Sequence, residues 1–297
     1  MKIRAVLAAA TVALAGCQSG PPPGVRQLAL DGTSLAYVEH GRGEPVVFVH
    51  GIAGDWRTWE ELRPHIAGRW RFVAYSRRYH WPNEWQDQGQ RYTAQQHAED
   101  LAAFIRALGG GKVHLVGGSA GGRVAAEVAL KHPDLVRTLV LSDPNLVPAT
   151  SPEARTANAA FGLKLQKLAG AARGGDGEGA VMQLVDIVYE HEGAWKSLPP
   201  QRQRGFLDNQ RTMAPMLARA SPAPGCDAYR TLRMPVLLIE GEHTLANFRL
   251  SNQQLLSCLP PGSERAVVTG ARHIWYWSHP AEGATMIEGF LRRRAGG

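Results

Sequence analysis

The stretch that most restricts what this chain can fold into is residues 113–122, Val-His-Leu-Val-Gly-Gly-Ser-Ala-Gly-Gly. A short β-branched run turns through small residues into Arg123–Leu130, a good helix former. Gly117-Gly118-Ser119-Ala120-Gly121 fits the pattern G-x-S-x-G, in which a buried strand turns abruptly into a helix with the serine at the apex. Only small neighbours let strand and helix approach closely enough to hold that serine in strained backbone. Ser119 is therefore the candidate nucleophile. A serine hydroxyl attacks poorly at neutral pH, so a base must stand beside it.

Around this turn the pattern alternates between strands and helices. Leu28–Leu30 and Leu35–Glu39 flank Asp31-Gly32, a hairpin signal, and Pro45–Val49 is a fully apolar strand. Arg71–Ser76, Val113–Val116, Val136–Leu141, Pro235–Glu240 and Glu264–Thr269 are the further strands. Continuous apolar strands of this kind suit a mostly parallel sheet covered on both faces. Asp55–Trp70 reads as one amphipathic helix capped by Asp55, Thr93–Leu108 as a second, and Pro280–Arg293 as the closing one. From Asn145 to about Arg230 the alternation breaks. Ala154–Ala171, Gly179–Glu190 and Gln201–Ala220 each carry helical periodicity, separated by Gly and Pro. The expected division is a core of residues 28–144 and 231–297 with an inserted helical cap at 145–230. Ligands of such sheets bind beyond the carboxyl ends of the strands, where the cap would roof them.

The N-terminus reads as processing signal. Lys2 and Arg4 precede an apolar run, Ala5–Leu14, too short for the ~20 residues of a membrane-spanning helix. Leu14-Ala15-Gly16-Cys17 resembles a bacterial lipobox, which makes residues 1–16 a lipoprotein signal peptide, Cys17 the lipidation site and 17–27, with Pro21-Pro22-Pro23, a tether. The expected location is the bacterial cell envelope, lipid-anchored; Gln18, in place of an aspartate after the cysteine, favours the outer membrane facing the periplasm. In an oxidising envelope Cys226 and Cys258 are candidates for a disulfide. The net charge of +7 comes from dispersed arginines, apart from Arg292-Arg293-Arg294, and no nucleic-acid module is present, so no nucleic-acid partner is expected. No zinc-type spacing of Cys and His appears, so neither metal nor other cofactor is expected.

Beyond these residue-level readings, the chain resembles an α/β-hydrolase with a helical cap. The likeness covers roughly residues 28–295 and rests on His50-Gly51, Gly117–Gly121 and Gly270-Ala271-Arg272-His273; Ala74–Asn83 is similar to a segment typical of one bacterial subgroup. The resemblance implies the α/β-hydrolase fold, an oxyanion hole from the Ile52 and Ala120 amides, and His273 as the base. His50 would orient its loop. Most relatives place the acid three residues after the glycine ending the penultimate strand, and here Gly241-Glu242-His243-Thr244 puts an uncharged threonine there. Asp143, in Ser142-Asp143-Pro144 at the end of the strand after the nucleophile helix, is the replacement, as in haloalkane dehalogenases and zearalenone lactonase; Glu240 and Glu242 are the alternative acids.

The resemblance points to a serine hydrolase cleaving a small ester or lactone through Ser119, His273 and Asp143. Trp56, Trp59, Trp81, Trp85, Trp275 and Trp277 fall in loops or helix starts near the strand ends, which suits a largely apolar pocket. Serine at the apex argues against epoxide hydrolase and haloalkane dehalogenase chemistry, whose enzymes use aspartate there. Other readings stay open: a C–C bond hydrolase; an amidase or aminopeptidase holding an amine through cap carboxylates such as Glu190 and Glu192; and, given Thr244, a non-catalytic ligand-binding lipoprotein.

Overall fold

The computed structural model describes residues 22–219, 222 and 224–294. The expected signal peptide and Cys17 lie outside these residues, and Arg26 and Gln27 of the expected tether already belong to the first strand. Eight strands form one sheet: β1 (Arg26–Leu30), β2 (Thr33–His40), β3 (Pro45–Val49), β4 (Arg71–Tyr75), β5 (Val113–Gly118), β6 (Val136–Ser142), β7 (Val236–Gly241) and β8 (Glu264–Val268). Their order is β1-β2-β4-β3-β5-β6-β7-β8. The β1/β2 and β2/β4 pairs are antiparallel and all later pairs are parallel.

Helices connect the strands. They are α1 (Arg63–Ile66), α2 (Ala94–Leu108), α3 (Ala120–Lys131), α4 (Pro152–Arg173), α5 (Gly177–Tyr189) and α6 (Ala194–Ser197). After these come α7 (Pro200–Leu207), α8 (Met213–Ala218), α9 (Cys226–Arg230), α10 (Ala246–Leu256), α11 (Trp275–Ser278) and α12 (Pro280–Arg292). The two-residue period of a strand divides each apolar run between two cores. Val47, Val49, Leu115, Leu139, Leu141 and Leu238 pack with α2 and α3, while Val46, Phe48, Val116, Val140, Leu237 and Ile239 pack with α12 and the Trp59 turn. Helices α4 to α9 leave the sheet between β6 and β7, with a third core of their own around Leu168, Val181, Leu184 and Phe206. Cys226 of α9 is joined to Cys258, just past α10, with the two Cα atoms 5.1 Å apart.

Three elements differ from the sequence reading. Asp55–Trp70 is not one helix: Asp55 caps a 3-10 turn at Trp56–Trp59, and α1 starts afresh at Arg63. Pro64 in the first turn of α1 has no N–H to give to a helix running through it. Gln201–Ala220 is likewise broken, into α7, a 3-10 turn at Gln210–Thr212 and α8. At that break the Asn209 side chain serves distant groups, donating to Asp55 Oδ2 at 2.6 Å and accepting from the Trp81 N–H at 2.8 Å. Helix α10 was not expected; its buried face includes Asn247, Ser251 and Asn252, so it carries little apolar periodicity.

The sharp turn depends on backbone contact. A Cβ at Gly121 would overlap the Val49 and His50 carbonyls, whereas one at Gly162 of α4 would meet nothing within 4 Å. Gly121→Ala is expected to lose about 2–3 kcal/mol of stability, near the upper end for overpacking. Gly162→Ala should gain ~0.5–1 kcal/mol from helix propensity alone. Urea midpoints of the two variants test the contrast.

Candidate active site

Ser119 occupies the junction of β5 and α3 with φ 51° and ψ −124°. Its N–H donates to the Ser142 carbonyl at 2.8 Å, and its own carbonyl accepts from the Gly122 N–H at 2.9 Å. Ala53, Asp143 and Asn145 also have positive φ. Ala53, Ser119 and Asn145 line one cavity with Asp143 behind them, so left-handed backbone that is rare outside glycine collects at one place. Ala120 begins α3, and its N–H is among the four that no helical carbonyl accepts.

His273 follows β8. Its ring lies flat on Phe248 of α10, centroids 4.3 Å apart, and its Nδ1 donates to Asp143 Oδ2 at 3.2 Å. Because a carboxylate only accepts, that bond puts the proton on Nδ1 and leaves Nε2 with the lone pair that can accept. Asp143 has no solvent exposure. A carboxylate so buried needs its lone pairs met. Two further donors meet them, Thr244 Oγ1 and Asn252 Nδ2, both at 2.8 Å. Thr244, the residue found where an acid was expected, thus donates to the carboxylate that meets His273. Asn252 Nδ2 also donates to Glu240 Oε2 at 2.7 Å, and Glu240 Oε1 pairs with Arg265. Glu242, roughly half exposed, accepts from the Gly270 N–H at 2.7 Å. Neither glutamate is bonded to His273. The sequence reading missed Asn252 and the part played by Thr244, and the threonine at the acid position was the one visible signal for them.

Behind the loop after β3, the Gly51 carbonyl is gripped from two sides. Arg77 Nη2 donates to it at 2.9 Å, and His50 Nδ1 lies 3.0 Å away. The Arg77 N–H donates to His50 Nε2 at 3.0 Å, so the His50 proton must be on Nδ1, aimed at Gly51. A trans peptide points its C=O and N–H in opposite directions, so fixing the Gly51 carbonyl also fixes the Ile52 N–H. His80 donates from Nδ1 to the Gly54 carbonyl at 2.7 Å and bonds the Tyr92 hydroxyl through Nε2 at 2.8 Å.

Ser119, His273, Ile52 and Ala120 all line one cavity of about 510 Å³. Phe161 of α4, Leu184 and Val188 of α5 and Phe206 of α7 roof it. Of the six tryptophans singled out from the sequence, Trp56 and Trp277 line it. Trp59 and Trp275 are buried in the core, Trp275 donating to Ser142 Oγ at 2.8 Å. Trp81 lies under the Arg57 guanidinium and Trp85 under that of Arg211. Among the described residues no group of three or more His, Cys, Asp and Glu is placed to hold a metal ion, and no helix is long and apolar enough to cross a membrane.

The family model described as alpha/beta hydrolase fold matches residues 44–280. The chain belongs to this family. The hydrolase is 29% identical over 268 residues to 2-(acetamidomethylene)succinate hydrolase of Mesorhizobium japonicum, covering 84% of this chain and 88% of that one. Its fold is similar to that of a thermophilic esterase from Thermogutta terrifontis, with TM-score 0.73 and 22% identity over 91% of this chain and 98% of the other. It is also similar to an enol-lactonase from Burkholderia xenovorans, with TM-score 0.74 and 18% identity over 90% of this chain and 100% of the other. The expected fold, a mostly parallel sheet flanked by helices, is the one the hydrolase has.

The histidines behind the loop after β3 carry a pH signature. Burial first, then the Arg77 charge, holds His50, His80 and His97 of the hydrolase well below the ordinary histidine pKa of 6.5. The unfolded chain therefore takes up protons as pH falls through about 6.5 while the native cluster does not. Their stabilising effect is complete above that pH and is lost below it, by up to ~1.4 kcal/mol per pH unit for each histidine. The urea midpoint should fall between pH 7 and 5.5, and less steeply in His97→Leu; a flat wild-type profile would refute this account.

Proposed function

We propose that this hydrolase cleaves a carboxylic ester or lactone of a small, largely apolar substrate through an acyl-enzyme, with Ser119 as nucleophile, His273 as base and Asp143 as acid. One observation carries the reading: Ser119 and His273 line the same cavity, and Asp143 meets the His273 Nδ1, leaving Nε2 for the serine proton. Nε2 takes the Oγ proton as Oγ bonds to the carbonyl carbon, and Asp143 stabilises the imidazolium. The oxyanion lies against the Ile52 and Ala120 N–H groups, each worth ~3 kcal/mol of barrier. Collapse of this intermediate expels the alkoxide, which takes the proton from His273. Water then gives a proton to His273, attacks the acyl carbon, and releases the acid and Ser119. The activity in the name of the Mesorhizobium relative, a hydrolase of a succinate derivative, fits a reaction at an acyl-type carbon.

Turnover of short p-nitrophenyl esters tests the proposal. Ser119→Ala should lose at least ~10³-fold in kcat, and Asp143→Asn about 10³–10⁴-fold with the fold intact. Glu240→Gln and Glu242→Gln should each stay within about tenfold of wild type, since neither glutamate touches the base. A folded wild type that turns over no ester and no lactone would favour the binding-protein reading, and a large loss confined to Glu240→Gln or Glu242→Gln would move the acid.

The N-terminal sequence supports a further part of the same proposal. The mature hydrolase is acylated at Cys17 and held in the bacterial cell envelope, at the outer membrane facing the periplasm. The Leu14-Ala15-Gly16-Cys17 signal supports this, and so does the Cys226–Cys258 disulfide, since such bonds persist in oxidising compartments. Cys17→Ser should abolish incorporation of radioactive palmitate and release the protein from the membrane fraction. Undiminished labelling would exclude Cys17 as the site.

A further inference from the structure

The cavity holds two arginines, and they are unequally matched. Arg57 is met on both sides: Nε and Nη2 donate to Asp55, and Nη1 donates to Asp208 at 3.0 Å. Arg202, projecting from α7 in the roof, is not. Among the described residues its one hydrogen-bond acceptor is Glu61 Oε1, 2.8 Å from Nη2. The Arg202 side chain is 19% exposed and that of Glu61 53% exposed. A guanidinium has five N–H donors in one plane, and Arg202 lies over Trp277 with its central carbon 4.0 Å from the ring centroid. Stacking covers the guanidinium face but leaves its edge donors for acceptors. Burial lowers the Arg202 pKa, and Glu61 only partly opposes it, so the cation is under-compensated where it stands.

We propose that Arg202 is a specificity-determining residue that binds a carboxylate on the substrate, away from the bond being cleaved. The inference rests on the ester or lactone reading and narrows it: the substrate is an apolar body bearing one carboxylate. Phe161, Leu184, Val188 and Phe206 surround the body, and the edge of Arg202 takes the charge. A single anionic oxygen pair suits a single guanidinium. A dianionic phosphate would face Glu60 and Glu61, which line the same cavity, with less cationic charge than it brings.

Two matched substrate pairs test this. The p-nitrophenyl monoester of adipic acid and p-nitrophenyl hexanoate differ by a carboxylate at the end of a six-carbon acyl chain. The esters m-carboxyphenyl hexanoate and phenyl hexanoate place the carboxylate on the alcohol side. In at least one pair, wild type should prefer the charged member in kcat/KM, and Arg202→Gln should lower that preference about tenfold or more. Each preference is a ratio within one preparation, so a partly folded variant does not distort it. Arg202→Lys should restore part of the preference, and Glu61→Gln, which removes the competing carboxylate, should raise it. Unchanged preferences in Arg202→Gln for both pairs would overturn the inference while leaving the ester reading intact. Should wild type hydrolyse none of the four, the ester reading falls. In that case thermal stabilisation of wild type by the charged over the neutral member, lost in Arg202→Gln, still reads the carboxylate site, and equal stabilisation by both refutes it.

Discussion

The site depends on one carboxylate that water does not reach. Asp143 gathers the end of β6, the loop after β7 through Thr244, helix α10 through Asn252 and the loop after β8 through His273. A carboxylate left unpaired in such burial is several kcal/mol uphill, so the four segments are held in register by a shared need. Helix α10 acts twice, because it supplies both the amide donor to Asp143 and the phenyl ring under His273. One helix thereby touches both the Asp143 carboxylate and the His273 ring.

The serine is held by a different means, steric and not electrostatic. Adjacent parallel strands β3, β5 and β6 stand at the middle of the sheet, and their C-terminal ends converge on the cavity. Gly117 and Gly121 bring α3 down onto those ends so closely that neither position has room for a methyl group. The positive φ of Ser119 is held from both sides, its N–H donating to the Ser142 carbonyl and its carbonyl accepting from the Gly122 N–H. Held there, Ser119 stays on the wall of the cavity.

What the sequence disclosed was mainly what is local. The turn at Ser119, the apolar strands and a histidine just past the last strand could be read because glycine spacing and hydrophobic runs are short-range signals. The carboxylate beside His273 was harder. Asp143, Glu240 and Glu242 all stand near strand ends, and only the folded chain separates a carboxylate touching His273 from two that do not. Helix α10 escaped because its inward face carries amides and a hydroxyl that meet polar groups, a pattern that looks like a loop. The break near Asn209 escaped because its partners Asp55 and Trp81 are over a hundred positions away. That His50 orients its loop was readable, since it adjoins Gly51, but the grip of Arg77 on the same carbonyl comes from 26 positions away.

The amide of Asn252 has one further consequence. Its Nδ2 donates to both Asp143 and Glu240, and Glu240 continues to Arg265, whose side chain is 38% exposed. The buried Asp143 carboxylate is thus joined to the rim through an amide and a second carboxylate. Dissolved ions screen exposed charges over about 10 Å at 0.1 M, and Arg265 is within their reach although Asp143 is not. The run from Asp143 to Arg265 therefore spans two regimes, a carboxylate sealed from the solvent at one end and a cation bathed in it at the other.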